Sequence, residues 1–252
     1  CLEPHDSFEQ LYGSCGVDKR RHRMQESQLL RACQQIDALD RAAHVVEFGA
    51  GHGDFSLHFA KVREFNHSLP MPSFLLLDRQ SFRSQSRRDG ALRKLGCPVE
   101  RFVRDVRLWP LANEVGEGPC LFCAKHFCGS AADEMLRLFV GWERRPAWLV
   151  AATCCHALIE REMMAEKTVA VLEEDWGLAV SDLKKVSGWA TLNQLEDPIR
   201  KEKQRLGAKA KRAIDTARIA AIQAALPNSR VELVWYTSES VECNAITCTM
   251  MP

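Results

Sequence analysis

Three glycines alternate with other residues in the segment EFGAGHG, which spans residues 47–53 and follows the apolar pair VV. Glycine permits positive φ and lets the backbone approach a ligand closely, so a glycine-rich turn between a strand and a helix is typical of nucleotide-type sites at the carboxyl edge of a parallel sheet. The turn continues with Asp54, where a dinucleotide-binding turn would have glycine or alanine. The segment therefore predicts a site for S-adenosylmethionine (SAM), and a turn that binds no ligand is the alternative. The predicted contacts are Glu47, Gly49, Ala50, Gly51 and Gly53.

Acidic residues also close the next two strand-like runs. Asp78 closes FLLLD and is followed by Arg79, and Asp105 closes VERFVRD. A carboxylate at the position of Asp78 can accept hydrogen bonds from two ribose hydroxyls, and a helix cap is the alternative. We expect Arg79 to contact the same ligand and Asp105 to contact the adenine amine, although Asp105 is equally well explained as an acid in a surface loop.

The segment KHFCGSAAD follows a further strand-like run and contains two titratable residues, Lys125 and His126. Transfer of a methyl group to a hydroxyl requires that its proton be removed or shared, because a neutral alcohol is a weak nucleophile. A desolvated lysine or a neutral histidine can take that proton, so we predict a catalytic role for Lys125, for His126 and for His156, which follows TCC. The alternatives are an ion pair between Lys125 and Asp133 and a buried structural role for His126.

Cysteine and histidine residues in the same part of the chain invite a comparison with metal sites. Cys120 and Cys123 are three residues apart on a predicted strand, where successive side chains face opposite ways, and no second CxxC pair completes a tetrahedral set. We therefore predict no metal site. The residues considered are Cys120, Cys123, Cys128, Cys154, Cys155 and His156.

Basic residues cluster at residues 19–23, 79–88 and 199–218. The chain has 34 Lys and Arg against 33 Asp and Glu residues, a net charge of +1, so any affinity for nucleic acid must come from local patches. Basic side chains at helical spacing can follow a phosphate backbone, and a solvated helix face is the alternative. The residues predicted to bind RNA are Arg83, Arg87, Lys201, Arg205, Lys209, Lys211, Arg212 and Arg218.

Strand-like and helix-like segments alternate between residues 44 and 153, which predicts a parallel sheet with helices on both faces. Predicted strands lie at 44–49, 73–78, 99–105, 120–127 and 147–153, and predicted helices at about 19–40, 54–65, 81–94 and 131–143. Residues 157–226 are predicted to form a helical insertion with a long helix from 199, and the last two strand-like runs, at 230–237 and 243–250, are predicted to pair as an antiparallel hairpin. We expect one α/β domain over residues 1–252, with a Rossmann-like SAM-dependent methyltransferase fold.

The cellular context follows from the absence of export signals. No apolar run approaches the roughly 20 residues needed to cross a bilayer, and the N-terminus lacks the layout of a signal peptide. Eleven cysteines occur singly or within apolar runs, which indicates reduced thiols. We expect an intracellular protein, cytoplasmic or nuclear, with no membrane partner. A chain that begins with Cys1 is also expected to be a domain excised from a longer protein.

Taken together, the motifs resemble the eukaryotic family of tRNA ribose 2'-O-methyltransferases that modifies the fourth nucleotide of the acceptor stem. Family members usually have Lys, His and Gly where this chain has His52, Ala157 and Ala217, and they carry N-terminal zinc-binding modules that do not occur in this sequence. KHFCGSAAD and CCH are the most specific elements. The resemblance rests on blocks in the family's order: DKRRHRMQESQLL, VVEFGAGHGDFS, LLLDRQSFRSQSRRD, AKHFCGSAAD, TCCHAL, GWAT and LGAKAKRAIDTAR.

The resemblance implies transfer of a methyl group from SAM to a ribose 2'-hydroxyl of tRNA. It implies that Lys125, with His126 or His156, handles the proton and orients the ribose, and that Glu242 polarises Lys125 as acidic partners do in other 2'-O-methyltransferases. The competing hypotheses are a SAM-dependent methyltransferase of a small molecule or a protein and a non-catalytic RNA-binding module. The residues implied to hold the donor are Glu47, Gly49, Gly51, Asp78 and Asp105.

Overall fold

The computed structural model describes residues 1–14, 16–65, 69–191, 197–238, 240 and 243–251. Its strands are β1 His44–Phe48, β2 Ser73–Asp78, β3 Val99–Val103, β4 Cys120–Phe127, β5 Ala147–Thr153, β6 Arg230–Trp235 and β7 Asn244–Met250. They form one sheet in the order β3-β2-β1-β4-β5-β7-β6, in which β1 to β5 are parallel and β7 is antiparallel to both β5 and β6. The predicted mostly parallel sheet with an antiparallel C-terminal hairpin is confirmed.

The helices follow the predicted order with one break near the N-terminus. The predicted leading helix at 19–40 is two helices, because Asp37 adopts a left-handed conformation with φ 63°. Within the described ranges, no helix is both long and apolar enough to cross a membrane. The α-helices are α1 Phe8–Tyr12, α2 Val17–Gln35, α3 Ala38–Arg41, α4 Asp54–Phe65, α5 Gln85–Lys94, α6 Leu111–Glu114, α7 Ser130–Val140, α8 Glu166–Ala170, α9 Val180–Ser187 and α10 Pro198–Ala225.

Both faces of the sheet are covered by apolar side chains, as expected for parallel strands. Successive residues of β1 point to opposite faces, so Val45 belongs to the core cluster that contains Phe59 of α4, and Val46 to the cluster that contains Phe139 of α7. A third cluster, which includes Ile214, joins α8, α9 and α10 within the predicted helical insertion. These layers fix the carboxyl ends of β1, β2 and β4 along one edge of the sheet.

Candidate active site at the carboxyl ends of β1, β2 and β4

The glycine-rich turn connects β1 to α4. Gly49, Gly51 and Gly53 have φ values of 65°, 52° and 85°, a region that residues with a Cβ atom rarely adopt. A Cβ atom at Gly49 would lie 2.8 Å from the ring of Phe127, whereas a Cβ atom at Gly51 would meet no other atom within 4 Å. The turn therefore requires glycine, and the open space in front of Gly51 can hold a ligand.

Glu47 lies at the end of β1, beneath this turn. Its carboxylate accepts hydrogen bonds from the backbone N–H of Ser56 at 3.2 Å and from the Ser56 hydroxyl. Burial raises the pKa of Glu47 to about 7. The side chain supports the turn from below and also lines the larger of two clefts at this edge of the sheet.

Two acids lie at or just after the ends of the neighbouring strands, and one of them, Asp78, ties its strand end to the turn. Asp78 Oδ2 accepts the N–H of Gly51 at 2.9 Å, and Oδ1 accepts the N–H of Gln80 at 3.0 Å. Asp105 accepts three hydrogen bonds from Arg107, at 3.0, 2.9 and 2.7 Å, which lower the pKa of Asp105 to about 2. Since a carboxylate has about four lone-pair sites, about two remain at Asp78 and about one at Asp105. Both can still accept a hydrogen bond from a ligand.

Two clefts meet at Gly49 and His126, which line both of them. The larger, which we call the Lys125 cleft, has a volume of about 700 Å³ and is lined by Lys125, the turn and the N-terminal half of α2. The smaller, which we call the Asp78 cleft, has a volume of about 460 Å³ and is lined by Asp78, Arg79 and Asp105 among others. Both volumes are within the range of small-molecule sites.

Lys125 is held by a buried carboxylate that the sequence analysis did not identify. Its Nζ donates to Glu26 Oε1 at 2.9 Å and to the backbone oxygen of His22 at 3.4 Å. Glu26 Oε2 lies 2.6 Å from Arg23 Nη1 and 3.5 Å from His58 Nδ1. Burial alone would raise the pKa of Glu26, but the nearby ring of His58 and the charges of Lys125 and Arg23 hold it well below its ordinary value. Glu26 is therefore an ionised partner for Lys125.

The sequence suggested two acidic partners for Lys125, Asp133 and Glu242. Asp133 does not pair with Lys125, because the guanidinium of Arg218 binds both of its carboxylate oxygens. Glu242 lies outside the described residues. The acid that holds Lys125 is thus on α2, 99 residues away in sequence.

His126 has an unusual backbone conformation for a residue with a side chain. Its φ is 60°, and it lies at the register shift between Lys125 and Phe127, an irregularity in the pairing of β4 with β5. Such a conformation costs about 1–3 kcal/mol and is found most often at functional sites. The ring Nε2 lies 3.3 Å from Gln25 Oε1. Burial, followed by the charge of Lys125, lowers the pKa of His126 to about 4, so the ring is neutral near pH 7.

His156 lines neither cleft and takes part in a buried network. Its Nε2 lies 2.8 Å from Asp215 Oδ1, which also accepts from Arg218 Nη1 at 3.1 Å. Thr153 donates to the other oxygen of Asp215 at 2.7 Å. Arg218 continues the network with hydrogen bonds of 2.8 and 2.6 Å to Asp133. In this arrangement His156 joins α10 to the end of β5, and its catalytic role stays a prediction.

The predicted RNA-binding residues divide into exposed and buried groups. Lys211 and Arg218 are only 5% and 2% exposed, so their side chains do not belong to a surface that could contact phosphates. The cationic ends of the others reach solvent. On α10, four of them lie at intervals of four, four and three residues, and form an exposed basic stripe about 16 Å long. The exposed residues are Arg83, Arg87, Lys201, Arg205, Lys209 and Arg212.

We expect Arg218→Ala to lower the free energy of unfolding by about 3–5 kcal/mol, because it leaves Asp133 and Asp215 buried without their cation. Despite burial, His156 and Arg218 lower the pKa of Asp215, so this stabilisation is present at neutral pH and is lost as the pH falls into the acid range. Urea unfolding at several pH values measures both effects. Arg212→Ala, an exposed position on the same helix, should change stability by less than about 0.5 kcal/mol; an equal loss in both variants would contradict the role of the network.

Comparison with known proteins agrees with the geometry. The family described as methyltransferase TRM13 matches residues 24–249. The tRNA:m(4)X modification enzyme TRM13 homolog of Dictyostelium discoideum is 24% identical, with 95% of this chain and 54% of that protein aligned. The tRNA:m(4)X modification enzyme TRM13 of Yarrowia lipolytica is 27% identical, with 69% of this chain and 42% of that protein aligned. The chain thus spans about half the length of the curated relatives it matches.

Solved structures with a similar arrangement include an rRNA methylase from Streptococcus thermophilus. It is 12% identical, with 94% of this chain and 100% of that chain aligned and a TM-score of 0.43. The family match covers residues 24–249, which include the glycine turn, Lys125 and α10. It confirms the resemblance that the sequence motifs indicated. The chain therefore belongs to the methyltransferase TRM13 family and has the α/β fold of SAM-dependent methyltransferases.

Proposed function

We propose that this chain transfers the methyl group of SAM to a ribose 2'-hydroxyl in the acceptor stem of tRNA. Membership in the family and the names of its relatives, tRNA:m(4)X modification enzymes, support the reaction and the substrate class. One observation carries the assignment to a site: a lysine held by a buried carboxylate lines the same cleft as the glycine turn and the basic residues at its rim.

The glycine turn and Asp78 are the proposed donor site. Bound SAM supplies an electrophilic methyl group on a sulfonium sulfur. The open space at Gly51 and the two lone-pair sites that remain at Asp78 fit a ligand with a ribose diol. Arg79 and Asp105 line the same cleft, and Asp105 can accept one hydrogen bond from an amine. The carboxylate of Glu47 is buried and bonded to Ser56, so its proposed role is to hold the turn in place and not to contact the ligand.

Lys125 is the proposed positioning group for the acceptor hydroxyl. An ammonium group has three N–H bonds, and in the described part of the structure two of them have acceptors, Glu26 and the backbone oxygen of His22. The third can donate to the ribose oxygen and stabilise the negative charge that develops there. The neutral ring of His126, on the next residue, is the proposed proton acceptor.

The Lys125 cleft has the charge expected for a nucleic-acid substrate. Lys19 lies at the start of α2, is exposed, and lines the cleft together with Arg88 of α5. Arg83 and Arg87 are exposed on and before the same helix. Cations at the rim of a cleft that leads to the acceptor position favour an anionic substrate.

The test is methyl transfer from radiolabelled SAM to an unmodified tRNA transcript, followed by nuclease digestion and mass spectrometry. A 2'-O-methyl nucleoside in the acceptor stem is the expected product. Label on a base, or label transferred only to protein or to a small acceptor, would contradict the proposal. Calorimetric titration with SAM in the same buffer shows whether the donor site is formed.

The basic stripe of α10 is expected to supply salt-dependent affinity for tRNA. Replacing Lys201, Lys209 and Arg212 together with glutamine removes three exposed charges. If each contacts a phosphate, the plot of the logarithm of the tRNA association constant against the logarithm of the salt concentration should become less steep. Its negative slope should lose about 2–3 in magnitude, since each contact contributes roughly 0.7–0.9. Filter binding at several salt concentrations measures this slope.

A matched control removes three exposed arginines elsewhere. Arg161 and Arg230 each pair with a glutamate at the surface, where such pairs contribute little to stability, and Arg93 is exposed near the end of α5. Their replacement with glutamine changes the net charge equally and should leave the slope unchanged. Equal slopes for the two triple variants would show that α10 does not contact the phosphate backbone.

Glu26→Gln is expected to lower kcat by about 100-fold, because a misplaced Lys125 ammonium no longer meets the acceptor oxygen. KM for SAM should change little, since Glu26 lies in the Lys125 cleft and not in the Asp78 cleft. Steady-state kinetics separates kcat from KM. Glu26→Asp keeps the charge and should recover part of kcat. If the aspartate variant recovers stability but no activity beyond that of Glu26→Gln, the positioning role is wrong.

A further inference from the structure

Three cysteine thiols meet at the ends of β4 and β5. Cys128 follows β4, and Cys154 and Cys155 follow β5; their Sγ atoms all lie within 4.8 Å of one another. The closest pair, Cys128 and Cys154, is separated by 2.8 Å. The two strands are parallel neighbours, so their carboxyl ends bring together cysteines that are far apart in sequence. The sequence spacing of the cysteines, from which we predicted no metal site, does not reveal this proximity.

We propose that Cys128, Cys154 and Cys155 form a site for a thiophilic divalent ion of the Zn²⁺ type, bound through three thiolates. Three sulfurs around a tetrahedral zinc ion at about 2.3 Å lie roughly 3.8 Å apart. The observed separations, from 2.8 Å to within 4.8 Å, span that value. His156 is the next residue along the chain, but its Nε2 pairs with Asp215 and neither ring nitrogen lies within 4.8 Å of all three sulfurs. The fourth position of the ion is therefore left to a water molecule or an incoming ligand.

Two features of the surroundings favour an ion at the three sulfurs, the nearby N-terminus of α7 and access from solvent. Cys128 lies two residues before α7, an 11-residue helix whose N-terminus carries the positive end of the helix dipole. Cys155 is exposed, Cys154 is buried, and Cys128 is half-buried and lines the Asp78 cleft. An ion can thus reach the site from solvent while one sulfur remains protected.

The consequence of such a site would be structural support for the active residues. Cys128 lies three residues after Lys125 and two after His126, beyond the register shift in the pairing of β4 with β5. An ion that binds Cys128 together with Cys154 and Cys155 would tie this irregular end of β4 to the end of β5. It would fix the backbone that carries Lys125 and His126.

Cobalt is the probe for this site. Tag-free protein, reduced with a phosphine and stripped of metal with a chelator, is titrated with Co²⁺ and then with Zn²⁺. We expect one equivalent of Co²⁺ to give thiolate-to-cobalt charge-transfer absorption, and one equivalent of Zn²⁺ to abolish it. Cys128→Ser and Cys155→Ser should each weaken Co²⁺ binding by at least about 100-fold, beyond the effect typical of residues that only support metal ligands.

The control is Cys1→Ser, which removes an exposed cysteine whose sulfur contacts Leu2, Tyr236 and Gln28 and not the cluster. Its Co²⁺ affinity should equal that of the parent protein. Because Cys155 is exposed, Cys155→Ser should keep the parent melting temperature in the metal-free state, which separates loss of a ligand from loss of the fold. The proposal is overturned if the reduced protein takes up no Co²⁺. The same conclusion holds if a Cys128–Cys154 disulfide is found before reduction and the reduced protein then takes up no Co²⁺. Uptake that is unchanged in both serine variants also overturns it.

Discussion

Lys125→Ala is expected to lower kcat for methyl transfer to tRNA by about 10²–10⁴-fold, the range typical for loss of a group that acts on the transferred proton or its oxygen. The reason is geometric: the ammonium group lines the Lys125 cleft, is fixed by Glu26 and has one N–H left for the acceptor. Affinity for SAM should change by less than about threefold, because Lys125 does not line the Asp78 cleft. Single-turnover transfer from labelled SAM measures the first effect and calorimetry the second.

The controls separate chemistry from stability. Lys125→Ala leaves Glu26 with Arg23 as its remaining cation, so some loss of stability is expected. Lys125→Gln retains N–H donors that can reach Glu26 and should restore stability without restoring turnover. Lys94→Ala, an exposed lysine at the end of α5, should leave both activity and SAM affinity unchanged. Full activity of Lys125→Ala would exclude the proposed role.

The fold could be predicted because its signals are local. Runs such as SFLLLD and AWLVAAT are too apolar for a surface and too short for buried helices, and the structure has strands at these same residues. The long helix was recognised from its composition and from the proline that follows it. The break between α2 and α3 was missed, because Asp37 adopts a left-handed conformation without glycine or proline in the neighbouring sequence.

The candidate site could be predicted only for residues that are close in sequence or that directly follow a predicted strand. The glycine turn and Asp78 meet through a direct hydrogen bond, as their positions after β1 and β2 implied. Glu26 was missed because its partner is on another element, although a signal existed. Gln25, Glu26, Ser27 and Gln28 are consecutive and buried, and a polar run that interrupts the apolar face of a helix indicates partners inside the protein.

For α10, the sequence did not indicate which basic side chains face solvent and which face the interior. Arg212 and Arg218 are both basic residues of one helix, yet the first is exposed and the second is buried. What separates them is the position of Asp133 and Asp215, which provide Arg218 with acidic partners in the interior. The same limit applied to the three cysteines, whose grouping depends on the adjacency of β4 and β5.

Gly51→Arg is expected to weaken SAM binding by at least about 100-fold, which corresponds to about 2.7 kcal/mol. The open space in front of Gly51 is the proposed location of the donor, and a side chain there would occupy it. Calorimetric titration with SAM measures the loss directly. At SAM concentrations that saturate the parent protein, the variant should also lose methyl transfer. At much higher SAM concentrations part of the activity should return if the arginine side chain obstructs the donor site without destroying it.

Gly177→Arg is the matched control for backbone strain. Gly177 also has positive φ, 65°, and a Cβ atom there would meet no other atom within 4 Å, but the residue lies between α8 and α9 and outside the glycine turn. Both variants force a side chain into the left-handed region, which costs about 1–2 kcal/mol, so their unfolding free energies should fall by similar amounts. Only Gly51→Arg should lose SAM binding, because only its side chain enters the donor site. If both variants bound SAM equally well, the donor would not lie against the glycine turn, and the assignment of Asp78 to its ribose would fail with it.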